Sequence, residues 1–419
     1  MRIIAINTLP WGSTGHITMK ILETANVQLK AKTLATFGMW KGYTKDYINS
    51  DNSKCEGFGF IYENLLSALF SKITGFHNVG SIIGTLVLIR KIKAFDPDII
   101  HLHNLHLWVI NLPIIFSFLK KRNIPVVWTL HDCWAFTGQC PHFTMINCDK
   151  WKTGCHHCPQ YREYPGSYVD RTETMYNLKK RWFNGIHNLT IVTPSQWLAS
   201  HVKESYLKDY PVKVIHNGID LSIFKPTKSE FRKNYNIENK FIVLGVAFDW
   251  GKRKGRDVFI DLAKKLDDRY KIVLVGTDDK VDRQLPGNII SIHRTNNQHE
   301  LVKIYSAADV FVNPTLEDNF PTTNIESIAC GTPVITFNTG GSPEILDDTC
   351  GSVVQCNVNE ALIKEIIRTC TNKPYSQEAC LTRARQYDVY ENFLEYIELY
   401  KTLMEENNET IFEKNDFKE

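Results

Sequence analysis

Two acidic residues flank the predicted start of a helix, and they mark the segment with the clearest chemistry in the chain. The helix is expected to begin near Pro321, with Thr322 or Thr323 as its capping residue, after a polar loop that follows a strand. Unpaired backbone N–H groups at a helix start favour an anion such as a diphosphate, and parallel α/β sheets bind ligands at this position. Asp318 and Glu326 suit hydroxyl groups better than phosphate. The alternative is that both acids only complement the helix dipole.

Two basic residues, Arg253 and Lys254, are predicted to lie at the carboxyl edge of the same sheet. They come soon after the predicted strand Phe241–Ala247 and would face the same helix start. When a bond to a diphosphate breaks, negative charge grows on the departing phosphate, and fixed cations lower the barrier by stabilising that charge. The pair therefore predicts stabilisation of a leaving phosphate. A solvated basic turn is the alternative.

The elements that must position these groups follow the pattern of parallel sheets covered by helices, because short β-branched runs alternate with longer helical patterns. The first series of predicted strands comprises Arg2–Thr8, Thr33–Phe37, Asp98–His103, Pro125–Leu130, Leu189–Thr193 and Val212–Ile215. The second series comprises Phe241–Ala247, Lys271–Val275, Ile289–His293, Val310–Asn313 and Pro333–Phe337. The turn signal Asn217-Gly218 lies between them, so we expect an α/β fold with two doubly wound domains in tandem.

Length and composition are those of a globular protein with two cores. The chain has 419 residues, of which 43% are hydrophobic and 23% charged, and this excludes disordered, collagen-like and disulfide-dense classes. The apolar run at the N-terminus is only as long as a strand, so we expect no secretory signal and a cytoplasmic protein. The apolar runs 79–89 and 109–119 fall short of the roughly 20 residues that span a bilayer.

The two halves of the chain differ in charge. Residues 1–220 contain 24 basic and 15 acidic side chains, whereas the remainder contains 25 basic and 31 acidic ones. Apolar segments in the basic half adjoin the basic runs 90–93 and 120–122, which predicts a peripheral contact with an anionic membrane surface. Solvated helix ends are an equally good interpretation of the same runs.

Four of the eleven cysteines cluster in an insertion expected over about 133–170. Their spacing leaves one close pair, and the four residues are Cys140, Cys148, Cys155 and Cys158. In a cytosolic chain four thiolates favour a tetrahedral structural zinc ion over disulfides. A closed four-thiolate site has no open position for chemistry, so its role would be to stiffen the insertion. Ordinary reduced cysteines are the alternative.

Several motifs occur in an order that resembles family 4 glycosyltransferases. Asp318 and Glu326 are separated by seven residues, which is similar to the acidic E-x7-E element of that family. The further motifs are Thr193-Pro194-Ser195, the run from Val214 to Asp220, Arg253-Lys254-Gly255, the run from Tyr305 to Asp309, and the run from Gly340 to Glu344. The run from Trp128 to Trp134 resembles the colanic-acid type of exopolysaccharide transferases.

The resemblance implies a GT-B architecture, in which two Rossmann-like domains face each other across a cleft. It places an acceptor-binding domain at 1–216, a nucleotide-sugar-binding domain at 217–385, and a terminal helix with a loose tail at 386–419 that crosses back to the first domain. Carried over by position, Glu326 holds the ribose hydroxyls and Asp318 the hydroxyls of the donor sugar. The family has Glu where this chain has Asp318, so the neighbouring Glu317 is a rival for that contact.

The resemblance also assigns roles in the first domain. His131, which follows the strand Pro125–Leu130, resembles the histidine that contacts the donor sugar, with a structural histidine as the alternative. Gly12 and Gly15 resemble the glycine loop that lets the backbone approach the donor phosphate or the acceptor. Three more histidines at the end of a strand are expected to face the cleft rather than to bind a metal: His101, His103 and His106.

The activity implied is a retaining transfer of a hexose-type sugar from a nucleotide diphosphate sugar to a lipid-linked or oligosaccharide acceptor in bacterial surface polysaccharide biosynthesis. A UDP-sugar is favoured and a GDP-sugar is the other candidate. No catalytic metal and no nucleic-acid partner are expected. Two other classes stay open: a nucleotide-sugar 2-epimerase of the same architecture, and a sugar-nucleotide-binding protein without catalytic activity.

Overall fold

The structure is a computed structural model that describes residues 1–39, 49–50, 53–356 and 358–416. The chain divides into two compact units. The first contains residues 1–143, 147–215 and 393 onward, and the second contains residues 144–146 and 216–392.

The first unit is built on an eight-stranded sheet. Its strands are β1 Arg2–Asn7, β2 Lys32–Gly38, β3 Asn49–Ser50, β4 Ser53–Phe58, β5 Ile99–Leu102, β6 Val126–Thr129, β7 Leu189–Thr193 and β8 Val212–Val214. They lie in the order β3-β4-β2-β1-β5-β6-β7-β8, and every pair is parallel except β3 with β4. The chain reverses its direction of travel across the sheet between β1 and β5. In open α/β sheets such a reversal opens a crevice for ligands at the carboxyl ends of the strands.

Helices cover this sheet on both faces, and for that reason β5, β6 and β7 are buried along their whole lengths. The helices of the first unit are α1 Gly12–Leu29, α2 Ile61–Thr74, α3 Ile82–Phe95, α4 Leu112–Lys120, α5 Thr172–Phe183 and α6 Gln196–Glu204. The aromatic residues Phe116, Trp128 and Phe183 pack together in the core of this unit, with ring centroids 4.5–5.5 Å apart.

The second unit has a six-stranded, fully parallel sheet in the order β11-β10-β9-β12-β13-β14. The strands are β9 Phe241–Val246, β10 Tyr270–Val275, β11 Ile289–Ile292, β12 Val310–Asn313, β13 Val334–Phe337 and β14 Gly351–Val354. The helices are α7 Phe231–Asn234, α8 Arg256–Lys265, α9 Asp279–Asp282, α10 Gln298–Ala307, α11 Thr322–Ala329, α12 Asn359–Asn372 and α13 Gln377–Ala384. This strand order is that of the dinucleotide-binding Rossmann sheet, and the reversal lies between β9 and β12.

The last helix, α14 Val389–Asp416, begins in the second unit and continues in the first. Within the first unit, the Tyr396 hydroxyl lies 3.1 Å from Thr129 Oγ1 and the Tyr400 hydroxyl lies 2.7 Å from His101 Nδ1. Among the helices in the described part of the chain, none combines the length and the apolar composition that a membrane crossing requires.

The predicted fold class is confirmed, because both units are helix-covered, predominantly parallel sheets. Most predicted strands differ from the observed ones by one or two residues at an end. Three strands were not predicted: the two-residue strand β3, the strand β4, whose sequence Ser-Lys-Cys-Glu-Gly-Phe has no β-branched residue, and the short edge strand β14.

Candidate functional site

The reversal point of the second sheet brings the predicted acids and bases together. The loop after β9 contains Arg253 and Lys254, and the loop after β12 contains Glu317 and Asp318 just before helix α11. The two loops are joined by backbone hydrogen bonding, since Leu316 N donates to the carbonyl oxygen of Arg253 at 2.8 Å. The polar groups therefore share the carboxyl edge of the sheet beside the start of α11.

Both cations are already engaged by the neighbouring loop. Lys254 Nζ lies 2.5 Å from Asp318 Oδ2, in an ion pair whose side chains are about four-fifths buried. Arg253 Nη1 donates to the carbonyl oxygen of Glu317 at 3.0 Å. The expectation that two cations face the helix start is thereby modified, because Lys254 lies against a carboxylate and Arg253 fastens the two loops together.

The two candidate acids at the end of β12 have different surroundings. Glu317 is buried, and its Oε1 accepts from the backbone N–H of Met145 at 2.7 Å, in a short segment that clusters with the second unit. Asp318 pairs with Lys254, and its Oδ1 accepts from the backbone N–H of Asn319 at 2.9 Å. Of the two acids, Asp318 is thus the one that forms an ion pair with a lysine of the neighbouring loop.

Glu326 lies in α11 and is held by two hydroxyl groups. Its Oε2 accepts from the Tyr305 hydroxyl at 3.0 Å, and its Oε1 accepts from Thr322 Oγ1 at 3.3 Å. Desolvation raises the pKa of the Glu326 carboxyl above its usual value, while both hydrogen bonds act in the opposite direction. The carboxylate is therefore fixed in orientation before any ligand binds.

The predicted capping arrangement of α11 is wrong. The N-cap residue is Pro321, whose side chain makes no capping bond, and neither Thr322 nor Thr323 caps the helix. The hydroxyl of Thr322 donates to Glu326 instead, so it is unavailable to the backbone at the helix start. Because Pro321 provides no side-chain acceptor, the N-cap residue leaves the first N–H groups of the helix to other acceptors, such as an anion.

Two residues with a clear role in this arrangement were not identified as site residues. Tyr305 is fully buried and orients Glu326, and the only sequence signal was its position at the start of a family motif. Gly340 has a φ of +57°, and a Cβ there would lie 1.6 Å from the carbonyl oxygen of Asp318. Glycine is therefore required where this loop meets the loop after β12.

The reversal point of the first sheet carries the predicted glycines. Gly12 and Gly15 were expected in a loop, but they lie in the first turns of helix α1. A Cβ at Gly15 would lie 2.5 Å from the backbone of Pro10, whereas a Cβ at Gly12 would meet nothing within 4 Å. Only Gly15 is thus required for close backbone packing, and that packing is against the chain's own loop.

His131 lies at the same edge of the first sheet and contacts a second histidine. Its Nε2 lies 3.1 Å from His103 Nδ1, with the two rings stacked at 5.4 Å between centroids. Desolvation lowers the pKa of His131 to about 4 and lowers the pKa of His103 well below its usual value. Both rings are therefore neutral near pH 7, and one donates its N–H to the other, so the contact with His103 fixes the orientation of the His131 ring.

The other histidines of this strand end are structural rather than open to a cleft. His101 is fully buried, and its Nε2 lies 2.8 Å from Thr129 Oγ1 while its Nδ1 contacts the terminal helix. His106 is nearly buried between the Tyr164 hydroxyl, at 2.9 Å from Nδ1, and Asp132, whose Oδ2 lies 3.3 Å from Nε2. The expectation that these histidines face the cleft is wrong for His101, because both of its ring nitrogens are bonded within the first unit. A ring nitrogen of His103, Nε2, has no hydrogen-bond partner among the described residues.

The four cysteines of the insertion lie in one neighbourhood without a ready metal geometry. Cys155 is buried and its Sγ accepts from the backbone N–H of Gly138 at 3.1 Å. In the part of the chain that the structure describes, one group of three or more potential metal ligands has its ligand atoms within 4.8 Å of one another, and it comprises Asp279, Asp282 and His293. The cysteine sulfurs do not meet that spacing, so the structural zinc ion stays a prediction.

Known proteins similar to this chain fall into one functional group. This chain is 28% identical over 275 residues to WcaC of Escherichia coli, which is described as a colanic acid biosynthesis glycosyl transferase. The match covers 62% of this chain and 65% of WcaC. It is 29% identical over 183 residues to an N,N'-diacetylbacillosaminyl-diphospho-undecaprenol alpha-1,3-N-acetylgalactosaminyltransferase of Campylobacter jejuni, covering 41% of this chain and 48% of that protein. The chain thus matches just under two thirds of the first relative and about half of the second.

Solved structures agree with the fold along nearly the whole chain. Sucrose-phosphate synthase of Thermosynechococcus elongatus superposes with a TM-score of 0.72 at 16% identity, over 96% of this chain and 98% of that one. HepE of Anabaena, solved in complex with UDP, superposes with a TM-score of 0.66 at 17% identity, over 96% of this chain and 100% of HepE. Two family models also match, Glycosyltransferase Family 4 over residues 74–223 and Glycosyl transferases group 1 over residues 227–387. With both halves matched in order on this architecture, the chain belongs to the family 4 glycosyltransferases of the GT-B fold.

Proposed function

We propose that this protein transfers a hexose-type sugar, with retention at the anomeric carbon, from a nucleotide diphosphate sugar to a lipid-linked or oligosaccharide acceptor. A UDP-sugar is the favoured donor and a GDP-sugar the other candidate. The observation that carries the proposal is the Lys254–Asp318 pair at the reversal point of the second sheet, beside helix α11, which carries Glu326 and whose N-cap residue makes no side-chain cap. This edge offers cations and backbone N–H groups to a diphosphate and carboxylates to hydroxyl groups.

In the proposed complex the diphosphate lies at the start of α11 with Lys254 against it. Negative charge accumulates on the departing phosphate as the glycosidic bond breaks, and a preorganised cation stabilises this charge in the transition state more than in the ground state. Arg253 supports the same phosphate, either directly or by holding the two loops in register through Glu317. The leaving phosphate then accepts the acceptor's proton, since no enzymic nucleophile is assigned.

The carboxylates bind the two sugars of the donor. Glu326, already oriented by Tyr305, accepts from the ribose hydroxyls. Asp318 accepts from hydroxyls of the transferred sugar while it stays paired with Lys254. In this arrangement Asp318 contacts the sugar and Lys254 contacts the phosphate. Glu317 is the weaker candidate for this contact because its carboxylate is buried and accepts from Met145.

In the proposed complex, His131 of the first unit contacts the donor sugar. The backbone at Gly12 and Gly15 approaches the donor phosphate or the acceptor. The contact between His103 and His131 supports the first of these roles, because it holds a neutral ring in one orientation, from which the ring can hydrogen-bond to a hydroxyl. Gly12 supports the second, since no atom lies within 4 Å of a Cβ built there.

The names of similar proteins support the substrate classes. HepE has been solved with UDP-glucose, which supports a UDP-sugar donor. The Campylobacter relative acts on a diphospho-undecaprenol, which supports a lipid-linked acceptor, and WcaC supports a place in bacterial surface polysaccharide biosynthesis. Such an acceptor fits a cytoplasmic enzyme in peripheral contact with the membrane.

We expect no catalytic metal. The chain has one Asp-x-Asp sequence, Asp96-Pro97-Asp98, but it precedes β5 and both acids pair with Arg2, at the edge of the sheet opposite to the histidines. Transfer should therefore continue in excess EDTA. The structural zinc ion at Cys140, Cys148, Cys155 and Cys158 is tested separately by elemental analysis of freshly purified, unchelated protein, and a zinc content near zero rejects it.

The test of the function is incubation with UDP- and GDP-hexoses, with and without a diphospholipid-linked sugar acceptor. We expect nucleotide release only with acceptor, and an equatorial anomeric proton in the product NMR spectrum when the donor is an α-linked gluco- or galacto-configured hexose. Conversion of the donor to its epimer without acceptor would establish the epimerase instead. Donor binding with no release under any acceptor would establish a binding protein.

A further inference from the structure

Helix α2 has the polarity of its faces inverted. The residues that it buries against the first unit are polar, namely Asn64, Ser67 and Ser71. The residues that it exposes are large and apolar, namely Tyr62, Leu65, Leu66, Leu69, Phe70 and Ile73. A surface helix in water has the opposite arrangement, so this helix is built to place its outer face in an apolar environment.

The inward face of α2 explains why the inversion is stable. The Glu63 carboxylate accepts from the backbone N–H groups of Ile83 and Gly84 at 2.7 and 2.9 Å and so completes the start of helix α3. Asn64 donates to the carbonyl oxygen of Met39 at 2.7 Å and accepts from Ser81 Oγ at 3.0 Å. The helix is therefore fixed by polar bonds, and its apolar side chains are not needed for its attachment.

The apolar surface continues onto helix α3. Ile82, Ile83 and Leu86, at the start of α3, are 46–58% exposed. With Phe60 and the outer face of α2 they form a surface of ten large apolar side chains, which we name the α2–α3 face. Between residues 60 and 86 the only acidic residue is Glu63, and its carboxylate is already bound to α3.

Basic and aromatic residues lie at the rim of the α2–α3 face. Lys72 lies 5.7 Å from the ring of Tyr168, which is 64% exposed, and Arg171 Nε donates to the carbonyl oxygen of Thr74 at 3.1 Å. Arg90 and Lys93 are exposed further along α3. Asp170 is the acid at this rim, and its carboxylate accepts from Cys158 N and Thr172. Apolar side chains surrounded by cations and tyrosine are the composition of a lipid-facing surface.

We propose that the α2–α3 face inserts into the surface of an anionic phospholipid membrane. The inference rests on the proposed function only for its purpose, which is to bring the enzyme to an acceptor whose lipid lies in that membrane. The proposal assigns the membrane contact to α2 and the start of α3. The sequence alone had indicated the segments beside the basic runs 90–93 and 120–122. The charge of the rim selects anionic lipid over neutral lipid, because each exposed cation near a negative surface adds to the attraction.

The test is sedimentation of the full chain with vesicles of phosphatidylethanolamine, phosphatidylglycerol and cardiolipin, compared with pure phosphatidylcholine. We expect binding to the anionic vesicles that weakens at 0.5 M salt, and at least tenfold weaker binding for the double variant Leu66→Gln/Phe70→Gln. The matched control, Val353→Thr/Ile367→Gln, removes two exposed apolar residues of the second unit and should bind within twofold of the unmodified chain. Both variants should melt within a few degrees of it, since all four side chains are exposed.

Equal vesicle binding by the two double variants would overturn the proposal. So would a stable dimer without lipid that Leu66→Gln/Phe70→Gln converts to a monomer, because the face would then be a subunit interface. A separate readout keeps the proposed function distinct: nucleotide release with a short-chain, water-soluble acceptor should be unchanged in Leu66→Gln/Phe70→Gln, while release with the vesicle-borne acceptor falls. If no acceptor supports release but vesicle binding behaves as expected, the proposed function fails and the membrane contact stands.

Discussion

Replacing Lys254 with alanine should weaken donor use far more than removing the neighbouring cation Lys252. Both lysines belong to the same short turn, Lys252–Lys254, so the two variants lose the same charge from nearly the same place. Lys254 is largely buried in its pair with Asp318, whereas Lys252 is exposed. A difference between the variants therefore reports the position of the cation rather than the net charge of the loop.

The expected magnitude follows from two contributions. A hydrogen bond between charged groups contributes about 1.5–3 kcal/mol, which corresponds to about 10- to 150-fold in kcat/KM. Removing Lys254 also leaves the Asp318 carboxylate without its cation. Two negative charges about 6 Å apart repel by about 3 kcal/mol at an effective dielectric constant of 20. We expect kcat/KM of Lys254→Ala to fall at least 10-fold, and that of Lys252→Ala to change less than about threefold.

The assay is coupled detection of released nucleotide at several donor concentrations, together with calorimetric titration of UDP. Because UDP has no transferred sugar, Asp318→Asn added to Lys254→Ala should recover part of the lost UDP affinity by removing the unpaired charge. Equal losses in Lys254→Ala and Lys252→Ala, or unchanged UDP affinity in Lys254→Ala, would show that the phosphate does not bind at this pair.

Three further predictions concern the supports of the two units. Tyr305→Phe should raise the donor KM about tenfold by releasing Glu326, as steady-state kinetics will show, and an unchanged KM would contradict that role. Burial lowers the pKa of His101 from its usual 6.5 to about 3. The stability that the neutral ring contributes is therefore complete above pH 6.5 and is lost as the pH falls from 6.5 toward 3. His101→Gln should therefore reduce the difference in unfolding free energy between pH 6.5 and pH 5 by about 1.5 kcal/mol in urea titrations, and an unaltered difference would refute a neutral His101. Gly340→Ala should lower the unfolding free energy by at least about 2 kcal/mol, because a Cβ there would meet the carbonyl oxygen of Asp318. The control Gly251→Ala should lower it by less than about 1 kcal/mol, because a Cβ at Gly251 meets no atom within 4 Å. Equal effects would contradict the close approach at Gly340.

The architecture was predictable because buried parallel strands leave a strong local signal. Strands such as β7 and β12 are fully buried runs rich in β-branched residues, and their predicted bounds match the observed ones. Strand β4 carries a different composition because it lies near the edge of its sheet, where fewer apolar side chains are needed. Sequence periodicity reports burial, so it is weakest where burial is partial.

Most residues of the candidate site could be predicted from the sequence, but the contacts that they form with one another could not. The strand order places the loops after β9 and β12 side by side, and this brings Lys254 to Asp318 across 64 residues of sequence. No local pattern encodes such a pair, nor the hydroxyl that Tyr305 offers to Glu326 from another helix. The histidines show the converse limit, since neither composition nor spacing reveals that Tyr400, on the last helix, occupies a ring nitrogen of His101.

The most direct measurement is amide hydrogen exchange of the full chain with and without saturating UDP. We expect protection to rise in the loop 247–256 and at the start of α11, over 314–323, with little change at the opposite edge of the second sheet. Protection confined to other segments, or no change with UDP, GDP or their sugars at concentrations that saturate binding, would contradict a diphosphate site at this edge.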